Sequence, residues 1–387
     1  MGPTIITDKN AIQSLSIHEI HFLFKYYYVN IPPILVREIL GDLAKVNEDR
    51  KAQEATVTIL ARKLLSNDSG INVHYRKLIL NELMGVRVPT DFRMLRNSTK
   101  VVKEGKIGAL IHETEEERIV SNWQNDVFST EDYATAIEWR TSIENISIDQ
   151  IRAMNSHIIQ DLTMNKINNL DKLNDLIHHI IESCNFQLPL LTLIIEMNRI
   201  NQDFATQIFY RWESLNKPSI KEFCPYTYYC TYAFLLWNLG TLKSLFGRAT
   251  DIIDLEYLYY LPFASVFASN DGFHKSIVPY LIQNNQKFIT GKELKEDLKL
   301  VADSWKLLND EEKLVWHKKN GNKPTSETPL TFELYNKYFI NQKSNEQQLN
   351  DAIDFMEVRR RINVNDPCPC GSGVSYISCH GQPNENI

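Results

Sequence analysis

The spacing of apolar positions changes several times along this chain, and each change predicts a new kind of element. Residues 4–7 form a β-branched run, Thr4-Ile5-Ile6-Thr7, that ends at Asp8. After a polar break, residues 16–27 carry apolar side chains at helical spacing. Val29-Asn30-Ile31 reads as a second short strand closed by Pro32 and Pro33. Residues 34–44 then return to helical spacing, with proline in its permitted first-turn place. Strand, helix, strand, helix in so short a span predicts a parallel sheet.

From residue 45 to 225 the texture shifts to long amphipathic helical patterns, as at 50–65, 147–161 and 169–183, with one extended stretch near 101–111. The first texture returns late. Residues 226–245 and 251–261 read as helices, Ser265-Val266-Phe267-Ala268 as a short strand running into Ser269-Asn270-Asp271, and 272–283 as a helix. The strand 287–290 and a helix starting near Gly291 follow. Beyond Trp305 the chain is more polar, with a linker-like stretch at 320–329 and a helix expected over 344–361. The expected architecture is α/β: a parallel sheet flanked by helices, interrupted by a large mainly helical insertion and followed by a small C-terminal module. Its units are a core in two parts, 1–45 and 226–305, an insertion at 46–225, a helical connector at 306–362 and a tail at 363–387.

At 387 residues and 43% hydrophobic content the chain has the makings of a globular core and not of a disordered segment. Its formal net charge of −6 argues against polyanion binding over the whole surface and leaves room for a local basic groove. The chain shows no signal-peptide pattern and no apolar run of about eighteen residues, so the expected setting is cytoplasmic, without a membrane. Cys184, Cys224 and Cys230 are scattered among apolar or aromatic residues, which is reduced-thiol usage and not a disulfide framework.

The other three cysteines cluster in Asp366-Pro367-Cys368-Pro369-Cys370-Gly371-Ser372-Gly373, followed by Cys379-His380. Cys368, Cys370, Cys379 and His380 supply four borderline-soft donors, the number tetrahedral zinc prefers, and four protein ligands make a structural site. The glycines between the two halves permit a tight turn that aims amide N–H groups at the sulfurs. The string resembles the SEC-C zinc motif, the tail module of the preprotein-translocating ATPase. The resemblance implies zinc and says little of function; a protein or the ribosome is a candidate partner for such a tail. Where that family usually has lysines, this chain has Val374, Ser375, Ile377 and Ser378, so a strongly basic contact surface is not expected.

In an open parallel sheet, ligands bind outside the carboxyl ends of the strands, so acids placed just after strands converge from distant parts of the sequence. Asp8 and Asp271 occupy such places, Glu38 lies beside the apolar face of its helix, and Asp251 and Asp254 begin another helix three residues apart. Several carboxylates meeting at one edge repel one another unless cations sit between them, and hard oxygen donors suit Mg²⁺ or Mn²⁺. Singly, each has a blander use: Asp8 as a helix cap or turn former, Asp251 as the cap of its own helix.

Together the pieces resemble the PIN-like nuclease superfamily. The resemblance rests on Thr4-Ile5-Ile6-Thr7-Asp8 with Asn10, on Val29-Asn30-Ile31-Pro32-Pro33-Ile34-Leu35-Val36-Arg37-Glu38, and on Asp251-Ile252-Ile253-Asp254 running to Val266-Phe267-Ala268-Ser269-Asn270-Asp271. It implies a divalent-metal-dependent endoribonuclease that hydrolyses RNA phosphodiester bonds, in the role of a toxin or defence effector. The metal-holding catalytic acids would be Asp8, Glu38, Asp254 or Asp251, and Asp271. The alternative is a non-catalytic adaptor that docks a partner through its zinc tail.

Several other features have uses outside a site. Tyr257, Tyr259, Tyr260 and Phe263 suit base stacking, but their spacing beside Leu258 and Leu261 favours a buried helix. His274 fits phosphate binding, proton transfer or a capping role. His178 and His179 point apart on their helix, which disfavours a metal site. Arg359-Arg360-Arg361 fits either a phosphate contact or a solvated helix end.

Overall fold

The computed structural model describes residues 2–46, 49–65, 69–103, 106–149, 152 and 167–339. The expected zinc ligands Cys368, Cys370, Cys379 and His380, the helix expected over 344–361 and Arg359-Arg360-Arg361 all lie outside the described residues.

The described chain is α/β, with a five-stranded parallel sheet surrounded by many helices. Its strands are β1 (Thr4–Thr7), β2 (Tyr28–Ile31), β3 (Ser69–Ile71), β6 (Val266–Ala268) and β7 (Lys287–Ile289), in the order β3-β2-β1-β6-β7. The remaining two, β4 (Ser98–Lys103) and β5 (Lys106–Ile111), form a separate antiparallel pair, where the sequence predicts one extended stretch. Ile5 and Ile6 are neighbours in β1 yet both have 0% exposure, so both faces of the sheet are covered. Ile5 lies opposite Val29 on one side and Val266 on the other, so β1 is central. The chain winds outward from β1 to β3 and later returns to β1's other side, which makes the gap between β1 and β6 the point where strand order reverses.

The segment 46–225, expected to be mainly helical, also supplies β3 to the parallel sheet. Ser69, Gly70 and Ile71 pair with Val29, Asn30 and Ile31. Asn72 then donates to the buried Asn30 side chain at 3.1 Å, and Asn30 in turn donates to the Phe263 carbonyl at 3.0 Å. This polar relay ties β2 and β3 to the chain entering β6.

Two expected helices are shorter than their apolar patterns, each for a covalent reason. Asp251–Leu258 passes into a 3-10 turn containing Pro262, and Gly272–Ile277 into one containing Pro279; proline cannot donate the next helical bond. After Trp305 the chain returns to the core. Its helix Pro329–Phe339 packs on Gly291–Lys306 and buries Thr331 and Leu334.

A second anchor joins the middle segment to the core. Pro225–Leu242 begins at Cys224, whose side chain makes no capping bond. The carboxylate of Glu82, on Tyr75–Leu83, accepts instead from Tyr226 N at 3.1 Å, Thr227 N at 2.7 Å and the Thr227 hydroxyl at 2.9 Å. Burial pushes the Glu82 carboxyl from its ordinary 4.5 up to about 7, against the lowering effect of those donors. A folded-state value above the unfolded one adds stability that is full below pH 4.5 and lost as pH rises through 7. Relative to a Glu82→Gln protein, the wild type should therefore lose on the order of 2–3 kcal/mol between pH 5 and 8. Denaturant titrations of both at the two pH values would show it, and parallel curves would remove Glu82 as the source.

Among the described residues no single helix is long and apolar enough to cross a membrane. The pair Leu170–Glu182 and Cys184–Met197 reaches that length and composition only together, across a 75° bend.

Candidate metal centre at the strand-order switch

Asp8 leaves the carboxyl end of β1, and Ser269-Asn270-Asp271 leaves the adjacent end of β6. The Asp8 N–H donates to the Ala268 carbonyl, so the two exits stay in register. Asp8 uses one carboxylate oxygen as a helix cap, accepting from Ala11 N at 2.7 Å. The other accepts the Ser269 hydroxyl at 2.5 Å. Capping and site geometry are thus not alternatives here, since a carboxylate has an oxygen for each. Ser269 also accepts the Asp271 N–H at 3.0 Å, linking the two strand-end acids.

His274 is fully buried and neither superficial nor a cap. Its Nε2 donates to the Asp254 carbonyl at 2.8 Å, and its Nδ1 lies 2.7 Å from Ser269 Oγ. The Ser269 hydroxyl donates to Asp8, so its oxygen lone pairs face Nδ1, an arrangement that suits a charged ring. Burial opposes that charge, but Asp8 and Asp254 outweigh it and hold the His274 pKa above its usual value. A serine, a histidine and an aspartate in contact invite comparison with a hydrolase triad. Ser269 sits between the other two, at 0% exposure, with its oxygen engaged on every side, and is therefore no nucleophile.

Asp271 caps Gly272–Ile277 through Phe273 N at 2.6 Å. Burial works against its charge, but the Phe273 N–H and the Arg248 guanidinium prevail and keep its carboxyl below the usual range. Asp254 meets the opposite balance. Burial, with Asp271 and Glu38 adding to it, pushes its carboxyl up to about 7 despite the lowering influence of His274 and Arg248. Glu38, on Pro33–Leu40, is also raised by burial, and it accepts the hydroxyl of the buried Tyr257. Tyr257 lies three residues beyond Asp254 on one helix, which brings Glu38 close enough to raise the Asp254 carboxyl.

Asp251 is not the cap of its helix; Thr250 holds that place. The Asp251 carboxylate accepts instead from the backbone N and the Nε of Arg248, at 3.2 and 2.8 Å. Arg248 Nη2 reaches Asp254 at 3.2 Å and the two Asp271 oxygens at 3.0 and 3.1 Å. One guanidinium thus contacts three of the five acids.

Asp254, Asp271 and His274 present one donor atom each within 4.8 Å of one another. With both ring nitrogens of His274 committed, the two carboxylates are the members able to hold a cation. Oxygens at that separation fit a hard ion bonding at about 2.0–2.6 Å. Beside Glu38, Lys9 donates to the Glu38 carbonyl at 2.9 Å and to Asp42 at 2.7 Å. Lys45 and Arg140 also face Asp42, at 3.4 and 3.9 Å, so three cations surround one buried carboxylate. Tyr257, Tyr259, Tyr260 and Phe263 are all buried in the core.

Sequence reasoning misses Ser269, Arg248 and the role of Tyr257. Ser269 is signalled only by its place after a strand, and Arg248 only by its position three residues before Asp251.

No solved structure matches the chain. The curated proteins it matches include the protein translocase subunit SecA of Francisella tularensis subsp. holarctica, 44% identical over 45 residues, 11% of this chain and 5% of that protein. The same subunit of Helicobacter hepaticus is 51% identical over 41 residues, 10% of this chain and 5% of that protein. That of Acidobacterium capsulatum is 33% identical over 69 residues, 15% and 7% of the two chains. The chain thus spans only about 5–7% of the length of these relatives. The shared part is a module and not the whole protein: residues 365–382 are a SEC-C motif, which in general binds zinc.

Proposed function

We propose that this chain is a divalent-metal-dependent endoribonuclease of PIN-like fold and type, with a structural zinc held in its tail by Cys368, Cys370, Cys379 and His380. What carries the reading is the convergence of Asp8, Glu38, Asp254 and Asp271 on the one place in the sheet where strand order reverses. Asp254 and Asp271 would hold Mg²⁺ or Mn²⁺, with Asp8 and Glu38 completing the acidic wall. Asp251, already bound by Arg248 through two donors, is the less suited of the pair it forms with Asp254. Bound there, the ion supplies an activated water and positive charge for the phosphate oxygens.

The chain's own groups do the positioning. Ser269 and His274 fix Asp8 against the backbone of Asp254, and Tyr257 fixes Glu38. Lys9, Lys45 and Arg140 exceed the charge of Asp42 and give this edge a basic flank on a protein that is acidic overall. That flank supports a polyanionic substrate. RNA as that substrate, action as a toxin or defence effector, and a cytoplasmic setting follow from the PIN-like resemblance and the reduced-thiol usage.

The test is cleavage of labelled single-stranded RNA by the purified full chain with Mn²⁺ and with a chelator. Cleavage should need the metal, and Asp271→Asn should slow it by about 100-fold or more, beyond the usual effect of losing a supporting partner. A wild type that cuts no RNA, or an Asp271→Asn protein that cuts as fast, removes the enzyme reading. The SEC-C motif favours a second reading for such a result, an adaptor that docks a protein or the ribosome through its tail.

A further inference from the structure

We propose that Arg248 is the resident counter-ion of the acidic site and that a divalent cation enters only by displacing it from Asp254 and Asp271. This deepens the metal reading above and rests on it. The geometry is that of a shared position. One nitrogen, Nη2, lies 3.2 Å from Asp254 and 3.0 and 3.1 Å from the two oxygens of Asp271. An ion bonding those same carboxylates at about 2.0–2.6 Å needs the space between them. The nitrogen and the ion cannot both be there.

The rest of the side chain is arranged for exchange. Its Nε is held at 2.8 Å by Asp251, a buried acid outside the shared position. The guanidinium keeps that anchor when Nη2 lets go. The side chain is 54% exposed, so the guanidinium can tilt its Nη2 end toward solvent about that anchor without opening a cavity in the core. Arg248 stands on the loop between Pro225–Leu242 and Asp251–Leu258, next to Gly247, where an added Cβ would meet no atom within 4 Å. The arginine relieves the repulsion between Asp254 and Asp271 with one positive charge, where a divalent ion offers two. Occupation by arginine keeps the site folded and lowers the apparent affinity for the metal by the fraction of molecules in which it is in place.

The experiment is Mn²⁺ binding to the full chain, followed by the electron spin resonance signal of free Mn²⁺, with the tail first loaded with zinc. Arg248→Met should bind Mn²⁺ about tenfold or more tightly than the wild type, and Arg248→Lys, which keeps the charge on a narrower head, should fall between. Added methylguanidinium should weaken Mn²⁺ binding to Arg248→Met and leave the wild type unchanged, a competition that a merely structural arginine does not produce. Should Arg248→Met fail to fold, Arg248→Lys decides by the same comparison. Equal or weaker binding by the variants, with wild-type binding still abolished by Asp271→Asn, overturns the exchange and leaves the metal site standing. If neither wild type nor variants bind Mn²⁺, the exchange and the metal reading fall together.

Discussion

The Asp254→Asn protein is expected to bind Mn²⁺ about 100-fold more weakly than the wild type and yet to be more stable at pH 8. Burial, Asp271 and Glu38 raise this carboxyl from 3.8 to about 7. Its favourable contribution is therefore full below pH 3.8 and lost as pH rises through 7, so at pH 8 the folded state carries the whole cost of a buried, crowded charge. A neutral isostere removes that cost. After allowing for the lost pairing with Arg248, the gain should be about 2 kcal/mol. It should shrink as the pH is lowered toward 4, where the wild-type carboxyl is itself protonated. Calorimetric melting at the two pH values, beside a Mn²⁺ titration, separates the outcomes. An Asp254→Asn protein that is less stable than wild type at pH 8, or that keeps its Mn²⁺ affinity, contradicts the account of this residue as a strained ligand.

The largest loss of stability should come from Asp297→Ala. The Asp297 carboxylate, on Gly291–Lys306, accepts Leu330 N at 2.9 Å, Thr331 N at 3.0 Å and the Thr331 hydroxyl at 2.6 Å. It is thus the cap of Pro329–Phe339 supplied from a neighbouring helix. Thr331 also accepts the hydroxyl of Tyr27 at 3.0 Å, so three segments meet in one buried relay. Alanine leaves buried donors with no acceptor and no access to water, at a cost of about 3 kcal/mol. The melting temperature should fall by roughly 3–5 °C in a chain of this size. Asp297→Asn keeps one acceptor oxygen and should lose about half as much. A loss within about 0.5 kcal/mol, the scatter of ordinary surface substitutions, would remove Asp297 as a cap.

The elements read correctly from the sequence are those whose own residues specify them. Thr4-Ile5-Ile6-Thr7 is β-branched and ends at a turn former; Pro32 and Pro33 punctuate the second strand; Val266-Phe267-Ala268 is apolar between polar flanks. β3 escapes because Ser69-Gly70-Ile71 has no strand-forming run, and its extended form comes from pairing with β2, which a local pattern does not contain. The cap of Asp251–Leu258 is misplaced by one residue for a similar reason. Asp251 has a capping side chain, but Arg248 draws that carboxylate away.

The site divides the same way. Asp8 and Asp271 are legible as residues at strand ends, and Glu38 as a charge beside an apolar helix face. Arg248 joins Asp254 to Asp271 only through the reach of a long side chain across folded space, and Ser269 joins Asp8 to Asp271 only because two distant strands lie side by side. The tail is legible because zinc spacing is local, and the motif found there needs no tertiary information.

The order of the sheet sets when the acidic edge comes into being. β1 pairs with β6, so Thr7 meets Ala268 only after the intervening chain has been made and ordered. Closing so long a loop is slow relative to forming local helices. Asp8 and Glu38 leave the ribosome early, whereas Arg248, Asp254 and Asp271 follow much later. A nascent chain therefore carries half a site for most of its synthesis, and by the time the second half docks, the arginine that fills the site has emerged ahead of both acids it bridges.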